Sequence, residues 1–238
     1  MRGAEGRKLR HELKYLVQQP HVVGVASRLK HALKRDPNGD ANGEYRIRSL
    51  YFDDLSDAGL FERQAGLDRR KKWRIRIYDL KDDVVVLERK HRLGEFISKD
   101  RVRIDRGQAD LLIAGDSAWT WDHPSELLRT FGLLVRQRSM RPAVIVDYVR
   151  EAWVSPYGNV RITLDKHLST AMASHALFDQ RQCTVGVIPG ETVLEVKYDH
   201  FFPGYLSGLL MTSIPPRSAV SKYVLCRTIL KNNAWEDQ

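Results

Sequence analysis

The sequence has only two cysteines, Cys183 and Cys226, and no apolar run near the ~18 residues that a membrane-spanning helix needs. The cysteines do not form a C-x-x-C pair or another metal-type spacing, so two reduced thiols are expected. The residues before Val17 are basic but lack the apolar core of a secretory signal. These absences predict a cytoplasmic protein without a membrane span.

Acidic residues are fewer than basic residues. The 238 residues include 30 Asp and Glu against 39 Lys and Arg, which gives a net charge of +9. Such an excess suits a polyanionic partner, whether nucleic acid, nucleotide, polyphosphate or an anionic membrane. Hydrophobic residues make up 42% of the chain, which argues against disorder. Without a repeat or a linker, one domain is expected over residues 1–238, with its core at about 10–230.

Alternation of apolar and charged residues, typical of β-strands, is more frequent along the chain than helical spacing. Strands are predicted at residues 10–16, 44–54, 71–80, 84–92, 98–104, 142–154, 160–165 and 191–199, and helices within 20–40, 123–137 and 216–230. Asp53 and Asp54 are predicted to cap the segment that follows them. Because the strands arrive as hairpins, the fold class is α+β with an antiparallel sheet.

The charged residues of these strands share one face. Side chains alternate across a strand, so Glu88 lies beside Lys90, and Glu195 lies beside Lys197. The same division groups Glu12 with Lys14, Lys72 with Arg74 and Arg76, Tyr148 with Arg150, and Arg161 with Thr163 and Asp165. A solvated face explains any one strand, but like charges crowded on an open sheet repel. The repeated pattern favours a closed β-barrel tunnel with charged faces inside and helices packed outside.

A lumen of this kind would need an anion and a metal ion to balance its charges. Arginine binds phosphate oxygens in pairs, lysine supplies a point charge, and carboxylates hold a divalent cation that bridges those oxygens. Each Glu-x-Lys step therefore supplies one candidate metal ligand and one candidate phosphate ligand.

Eight segments resemble the VTC domain, the polyphosphate polymerase domain of the vacuolar transporter chaperone family, within the CYTH-like triphosphate tunnel metalloenzyme superfamily. They are RHELKY, SLYFDD, RKKWRIRIY, LERK with SKDRVRI, YVREAW, VRITLD, LEVKYD and SAVSKY, and they occur in the family's order over about 10–225. Arg10 replaces the first Glu of the Glu-x-Glu-x-Lys opening found in the cyclase and triphosphatase branches. This departure fits the polymerase branch.

The resemblance implies a tunnel that binds ATP and polyphosphate together with Mn²⁺ or Mg²⁺. It implies phosphate-binding roles for Lys14, Arg74, Arg76, Lys90, Arg150 and Lys222, and strand face adds Arg161 and Lys197. Arg74, Arg76 and Lys222 are the candidate catalytic residues. Glu195 is the first candidate metal ligand, and Glu88 and Glu12 are the others.

The leading hypothesis is a metal-dependent polyphosphate polymerase that transfers the γ-phosphate of ATP to a growing polyphosphate chain. A triphosphatase of the same fold and a non-catalytic polyanion-binding module remain alternatives. Sequence-specific nucleic-acid binding is disfavoured, because Trp73 and Tyr15 fall on the strand faces opposite the basic residues. Replacing Lys222 with alanine is expected to weaken ATP turnover without lowering the melting temperature, because one cation leaves a crowded basic site.

Overall fold

One continuous antiparallel sheet organises the computed structural model, which describes residues 9–171, 173, 175–211 and 220–236. Its strands are β1 (Arg10–Gln18), β2 (Lys34–Arg35), β3 (Glu44–Asp53), β4 (Arg69–Tyr78), β5 (Lys81–Leu93), β6 (Phe96–Ile104), β7 (Arg141–Ser155), β8 (Val160–Ala171), β9 (Thr184–Gly186) and β10 (Glu191–Tyr198). The helices are α1 (Gln19–Ala32), α2 (Ala58–Gln64), α3 (Arg106–Ala114), α4 (Glu126–Arg138), α5 (Gly204–Met211) and α6 (Lys222–Glu236).

Eight of these strands close into a ring. Their order is β7, β3, β4, β5, β6, β1, β10 and β8, and β8 pairs back with β7. The junction of β1 with β6 is the narrowest, with the pairs Arg10–Ile97 and His11–Phe96 in the described part of the chain. The short strands β2 and β9 pair with β7 and β8. The closed antiparallel barrel predicted from the charged strand faces is therefore confirmed.

Much of the outer face of the ring is apolar and is covered by helices. Trp73, Ile75 and Ile77 of β4 pack in one cluster with Leu128 and Phe131 of α4. A second cluster joins β1, β8 and β10 to helices α1 and α5. Replacing one such fully buried leucine or isoleucine with alanine would cost about 2–5 kcal/mol. Burial of the apolar faces leaves the alternate residues of every strand to line the lumen.

Short helices are where the sequence prediction and the structure differ. Helices α3 and α5 were not predicted, and α3 depends on its ends more than on apolar spacing. The Asp105 carboxylate accepts a hydrogen bond from the Gln108 backbone N–H at 2.8 Å, and the Gln108 side chain accepts one from the Asp105 N–H at 3.1 Å. Gly115 ends the helix with φ at 86°, a conformation that glycine adopts without strain.

The first and last predicted helices have different bounds in the structure. Helix α1 ends at Ala32, before the Pro-Asn-Gly turn, because Lys34 and Arg35 pair with β7 instead. The predicted helix over 216–230 corresponds to α6, and residues 216–219 of that prediction lie outside the described residues. No helix of the described part is long and apolar enough to cross a bilayer.

Two predicted caps are confirmed at the start of α2. The Asp53 carboxylate accepts a hydrogen bond from the Gly59 N–H at 2.9 Å, and the Asp54 carboxylate accepts one from the Ala58 N–H at 2.9 Å. These bonds satisfy backbone donors of the first turn, which have no partner within the helix. Both carboxylates therefore serve the fold.

Helix α6 covers one end of the barrel. Its residues Tyr223 and Cys226 pack in a cluster with Val146 and Tyr148, which lie on the same face of β7 as Arg150. The Tyr223 hydroxyl also donates a hydrogen bond to Asp53 at the end of β3. The prediction of helices outside the barrel therefore describes α1, α3, α4 and α5, whereas α6 brings its first residue, Lys222, into the lumen.

Candidate active site

Alternate residues of the ring strands carry the predicted charges into the lumen. The described ion pairs there join four carboxylates to eight cations in two groups. The larger group contains Glu12, Asp165 and Glu195 with Lys14, Lys90, Arg150, Lys197 and Lys222. The smaller group contains Glu88 with Arg74, Arg76 and Lys99.

Glu195 has the most cationic contacts of the larger group. Its Oε1 accepts a hydrogen bond from Lys222 Nζ at 2.6 Å and lies 3.3 Å from Lys14 Nζ. Its Oε2 accepts one from Lys197 Nζ at 2.7 Å and lies 3.6 Å from Arg150. Both oxygens of the first candidate metal ligand are therefore held by residues that were predicted to bind phosphate.

Asp165 is a second buried carboxylate beside the same cations. Arg150 donates two hydrogen bonds to it, at 2.6 and 2.8 Å, and Lys222 Nζ lies 2.5 Å from its Oδ2. Lys222 is only 7% exposed, so it is not a solvated charge on the outside of a sheet. Asp165 and Glu195 raise the pKa of Lys222 above its ordinary value against the opposing effect of burial.

Glu12 extends this group toward β5. Lys90 Nζ donates to both of its oxygens, at 2.8 and 2.7 Å. Lys14 and Lys197 lie 3.7 and 3.5 Å from the same carboxylate, and both also contact Glu195. Glu12 and Glu195 are therefore neighbours that share two lysines.

The smaller group is built across β4, β5 and β6. Arg74 Nε donates to Glu88 Oε2 at 2.7 Å, and Lys99 Nζ donates to Glu88 Oε1 at 2.5 Å. Arg76 lies 3.9 Å from Glu88, and its Nε donates to the Ser49 hydroxyl at 3.1 Å. The two predicted arginines thus lie side by side on one wall of the lumen, with their guanidinium groups fixed by short contacts.

The protonation states follow from burial and charge together. Burial alone would raise the pKa of Glu12, but Lys14, Lys90 and Lys197 hold it well below its ordinary value. Glu195 and Glu88 are shifted in the same direction by their own cations. Burial lowers the pKa of Lys90 to about 7 and that of Lys99 to about 8, although neighbouring carboxylates oppose the shift. The carboxylates are therefore ionised at neutral pH, whereas these two lysines titrate close to it.

The lumen has a positive excess that its own carboxylates do not neutralise. When Lys90 and Lys99 are protonated, the eight ion-paired cations exceed the four carboxylates by four positive charges in a space walled by protein, where Coulomb interactions are stronger than in water. Buried charges without compensation are costly. An anion with several negative charges would compensate this excess.

A divalent metal ion has oxygen ligands here but no cage made of protein alone. In the described ranges, no group of three or more His, Cys, Asp or Glu side chains is placed to hold a metal ion. Ions such as Mg²⁺ are commonly held by one or two carboxylates, with phosphate oxygens and water completing the shell. Glu12 and Glu195 fit such an ion when phosphate is bound. Glu88, the third predicted ligand, lies in the other group.

Arg161 is the predicted phosphate ligand that the structure places apart. Its guanidinium donates to the Tyr45 hydroxyl at 2.7 Å and forms an ion pair with Asp36, in the segment between β2 and β3. Asp36 is 3% exposed and also accepts hydrogen bonds from Asn38. In the described part of the chain, Arg161 has no ion pair with the four carboxylates of the lumen.

Two charged residues of the lumen were not selected from the sequence. Asp165 had been assigned to the charged face of its strand, together with Arg161, but only the pairing of β8 with β7 places it against Arg150. Lys99 lies opposite Lys90 on β6 and contacts Glu88. The alternation of Lys99, Arg101 and Arg103 along β6 was the available signal for this strand.

Comparisons with known proteins agree with this geometry. The sequence model of the VTC domain matches residues 9–231. A putative adenylyl cyclase from Hippeastrum, HpAC1, with a dominant triphosphatase activity, is similar in structure with a TM-score of 0.56 at 17% identity, over 94% of this chain and 96% of that chain. PH1819 from Pyrococcus horikoshii OT3 has a TM-score of 0.49 at 13% identity, over 94% and 99% of the two chains. No curated protein matches the chain. The likeness to the Hippeastrum protein shows the tunnel fold.

Proposed function

Because the chain belongs to the VTC domain family, we propose that it is a metal-dependent polyphosphate polymerase that uses ATP. The terminal oxygen of a polyphosphate chain attacks the γ-phosphorus, the bond from that phosphorus to the β–γ bridging oxygen breaks, and ADP leaves. The observation that carries the proposal is the closed lumen in which ion-paired cations outnumber carboxylates by eight to four. A triphosphate and a growing chain are ligands of matching charge.

The chain's own residues would act by binding and orienting phosphates. Arg74 and Arg76 present guanidinium groups on one wall, and Arg150 and Lys222 present charges on another. On binding, phosphate oxygens replace the carboxylates as partners of these groups. Phosphoryl transfer depends mainly on such positioning and on stabilisation of negative charge, so it needs no protein nucleophile.

Glu195 and Glu12 would hold the divalent ion together with oxygens of the bound phosphates. When bound, such an ion neutralises negative charge that develops on the transferred group and the leaving oxygen. Lysines 14 and 197 contact both carboxylates in the absence of ligand. They would turn from carboxylate to phosphate as the substrate enters.

The test is incubation of the protein with γ-labelled ATP and Mn²⁺ or Mg²⁺, followed by gel electrophoresis of the products. The proposal expects label in a ladder of chains. Label only in free phosphate would replace the polymerase with a triphosphatase, and ATP binding without either product would leave a polyanion-binding module. Arg74→Ala is expected to abolish the ladder. Lys30→Ala, which removes an exposed charge on α1, is the matched control.

A further inference from the structure

Thr163 on β8 has a buried hydroxyl without a hydrogen-bond partner. The residue is 0% exposed, and among the described residues nothing accepts from or donates to its Oγ1. A buried hydroxyl without a partner destabilises the protein relative to one that is hydrogen-bonded. Its neighbours on the same face of the strand, Arg161 and Asp165, are both in ion pairs.

The pairing of the strands places this hydroxyl beside the first candidate metal ligand. Thr163 is directly opposite Glu195 in the register of β8 with β10. Directly opposite residues of antiparallel strands have Cβ atoms about 4.5–5.5 Å apart. On the other side, Thr163 is opposite Ala152 of β7, which offers no polar group. Glu195 is therefore the polar side chain next to the hydroxyl across the sheet.

The present partners of Glu195 are residues that phosphate would engage. Lys222 and Lys197 each donate a hydrogen bond to it, and Lys14 and Arg150 lie close. When these cations turn to phosphate oxygens, the carboxylate loses the donors that orient it. A carboxylate that ligates a metal ion is normally held by such a donor.

We infer that Thr163 is the positioning residue for Glu195 in the ligand-bound protein: its hydroxyl donates a hydrogen bond to that carboxylate after the lysines have moved to phosphate. The inference rests on the proposed metal role of Glu195 and adds a residue to it. Rotation about one side-chain bond of threonine redirects the hydroxyl without movement of the strand. The hydroxyl is thus unpartnered in one state of the site and satisfied in the other.

The experiment measures the affinity of inorganic tripolyphosphate in EDTA and at saturating Mn²⁺, so that the gain from the metal is a ratio. Thr163→Val is expected to leave the affinity in EDTA within about threefold and to reduce the gain from Mn²⁺ by roughly 10–100-fold. Thr163→Ser keeps the hydroxyl and is expected to restore the gain. The melting temperature of ligand-free Thr163→Val is expected to stay the same or to rise, because an unsatisfied hydroxyl is removed.

Thr170→Val is the matched control on the same strand. The Thr170 hydroxyl is equally buried but donates to the Ile145 carbonyl at 2.8 Å, so this variant should lower the melting temperature and leave the gain from Mn²⁺ unchanged. An unchanged gain in Thr163→Val, an equal loss in Thr163→Ser, or a lower melting temperature of ligand-free Thr163→Val would each overturn the inference. If Mn²⁺ enhances binding to wild-type protein as expected but ATP yields no chains, only the proposed polymerase activity fails.

Discussion

Lys222 Nζ lies 2.6 Å from Glu195 Oε1, although one residue begins the helix that covers the end of the barrel and the other lies in the middle of β10. This ion pair joins the start of α6 to the lumen. The same oxygen lies 3.3 Å from Lys14 Nζ, so a metal ion at Glu195 Oε1 would have to replace both lysines as partners. We therefore expect binding of phosphate to these lysines to be coupled to their release from the carboxylate.

Removal of Lys222 should affect both activity and stability. In Lys222→Ala, Asp165 and Glu195 lose a buried cationic partner, and Arg150, Lys14 and Lys197 compensate only in part. We expect a loss of about 1–3 kcal/mol in the free energy of unfolding, which lowers the Tm by roughly 2–4 °C per kcal/mol.

This reverses the expectation from the sequence, where Lys222 counted only as one of several repelling cations. Turnover of ATP should fall by about tenfold or more, because a charge-assisted contact to phosphate is lost. Thermal unfolding and turnover of Lys222→Ala beside Lys30→Ala check both effects. A folded variant with the wild-type Tm and rate would remove Lys222 from the site.

Binding of tripolyphosphate should weaken as the pH rises from about 7 to about 9. Burial holds the pKa of Lys90 at about 7 and that of Lys99 at about 8 in the ligand-free protein, so both lose protons in this range. A bound polyanion favours the charged ammonium and raises both pKa values. Binding above neutral pH therefore takes up protons, and by linkage the affinity falls as protons become scarce.

Calorimetric titrations in two buffers with different ionisation enthalpies measure this proton uptake directly. Lys99→Arg should reduce the uptake near pH 8, because arginine stays protonated. Binding at pH 8 without proton uptake, or with proton release, would contradict the assignment.

The metal dependence should separate Glu195 from Glu88. Glu195→Gln removes a carboxylate that neighbours Glu12, and we expect it to abolish most of the gain in tripolyphosphate affinity from Mn²⁺. Glu88→Gln should keep that gain, because Glu88 belongs to the group of Arg74 and Lys99. Affinity ratios with and without Mn²⁺ decide the matter. Equal losses in the two variants would mean that both groups hold the ion.

Stability should fall in acid through the buried carboxylates. The pKa values of Glu12, Glu88 and Glu195 lie below the ordinary glutamate value in the folded protein, so protonation favours the unfolded chain. Their contribution is complete above the ordinary pKa of about 4.3 and is lost progressively as the pH falls below it. Melting temperatures between pH 7 and pH 3 measure the slope. Glu88→Gln should flatten it, and an unaltered slope would show that Glu88 contributes nothing.

From the sequence, the strand face on which a side chain lies could be predicted better than the residues that the side chain contacts. Trp73 and Arg74 are adjacent residues whose opposite faces follow from alternation alone, and the structure buries one outside the ring and turns the other into the lumen. Alternation does not say which strands become neighbours. Asp165 could not be matched with Arg150 before the pairing of β7 with β8 was known.

Arg161 shows a second limit of alternation. It lies on the same face of β8 as Asp165. Its guanidinium instead forms an ion pair with Asp36, which lies in the segment between β2 and β3. Contacts from such segments depend on the path of the chain in space. No periodic pattern in the sequence records them, so side chains near the ends of strands are predicted least well.

Closure of the ring joins strands from opposite ends of the sequence. Strand β1 pairs with β10 along eight residues, His11 with Tyr198 through Gln18 with Glu191, and has only two described pairs with β6. Nearly all of the strands must therefore be synthesised before β1 can pair with β10. Closing the ring requires contacts between residues that are far apart in the sequence, and such contacts form slowly in folding.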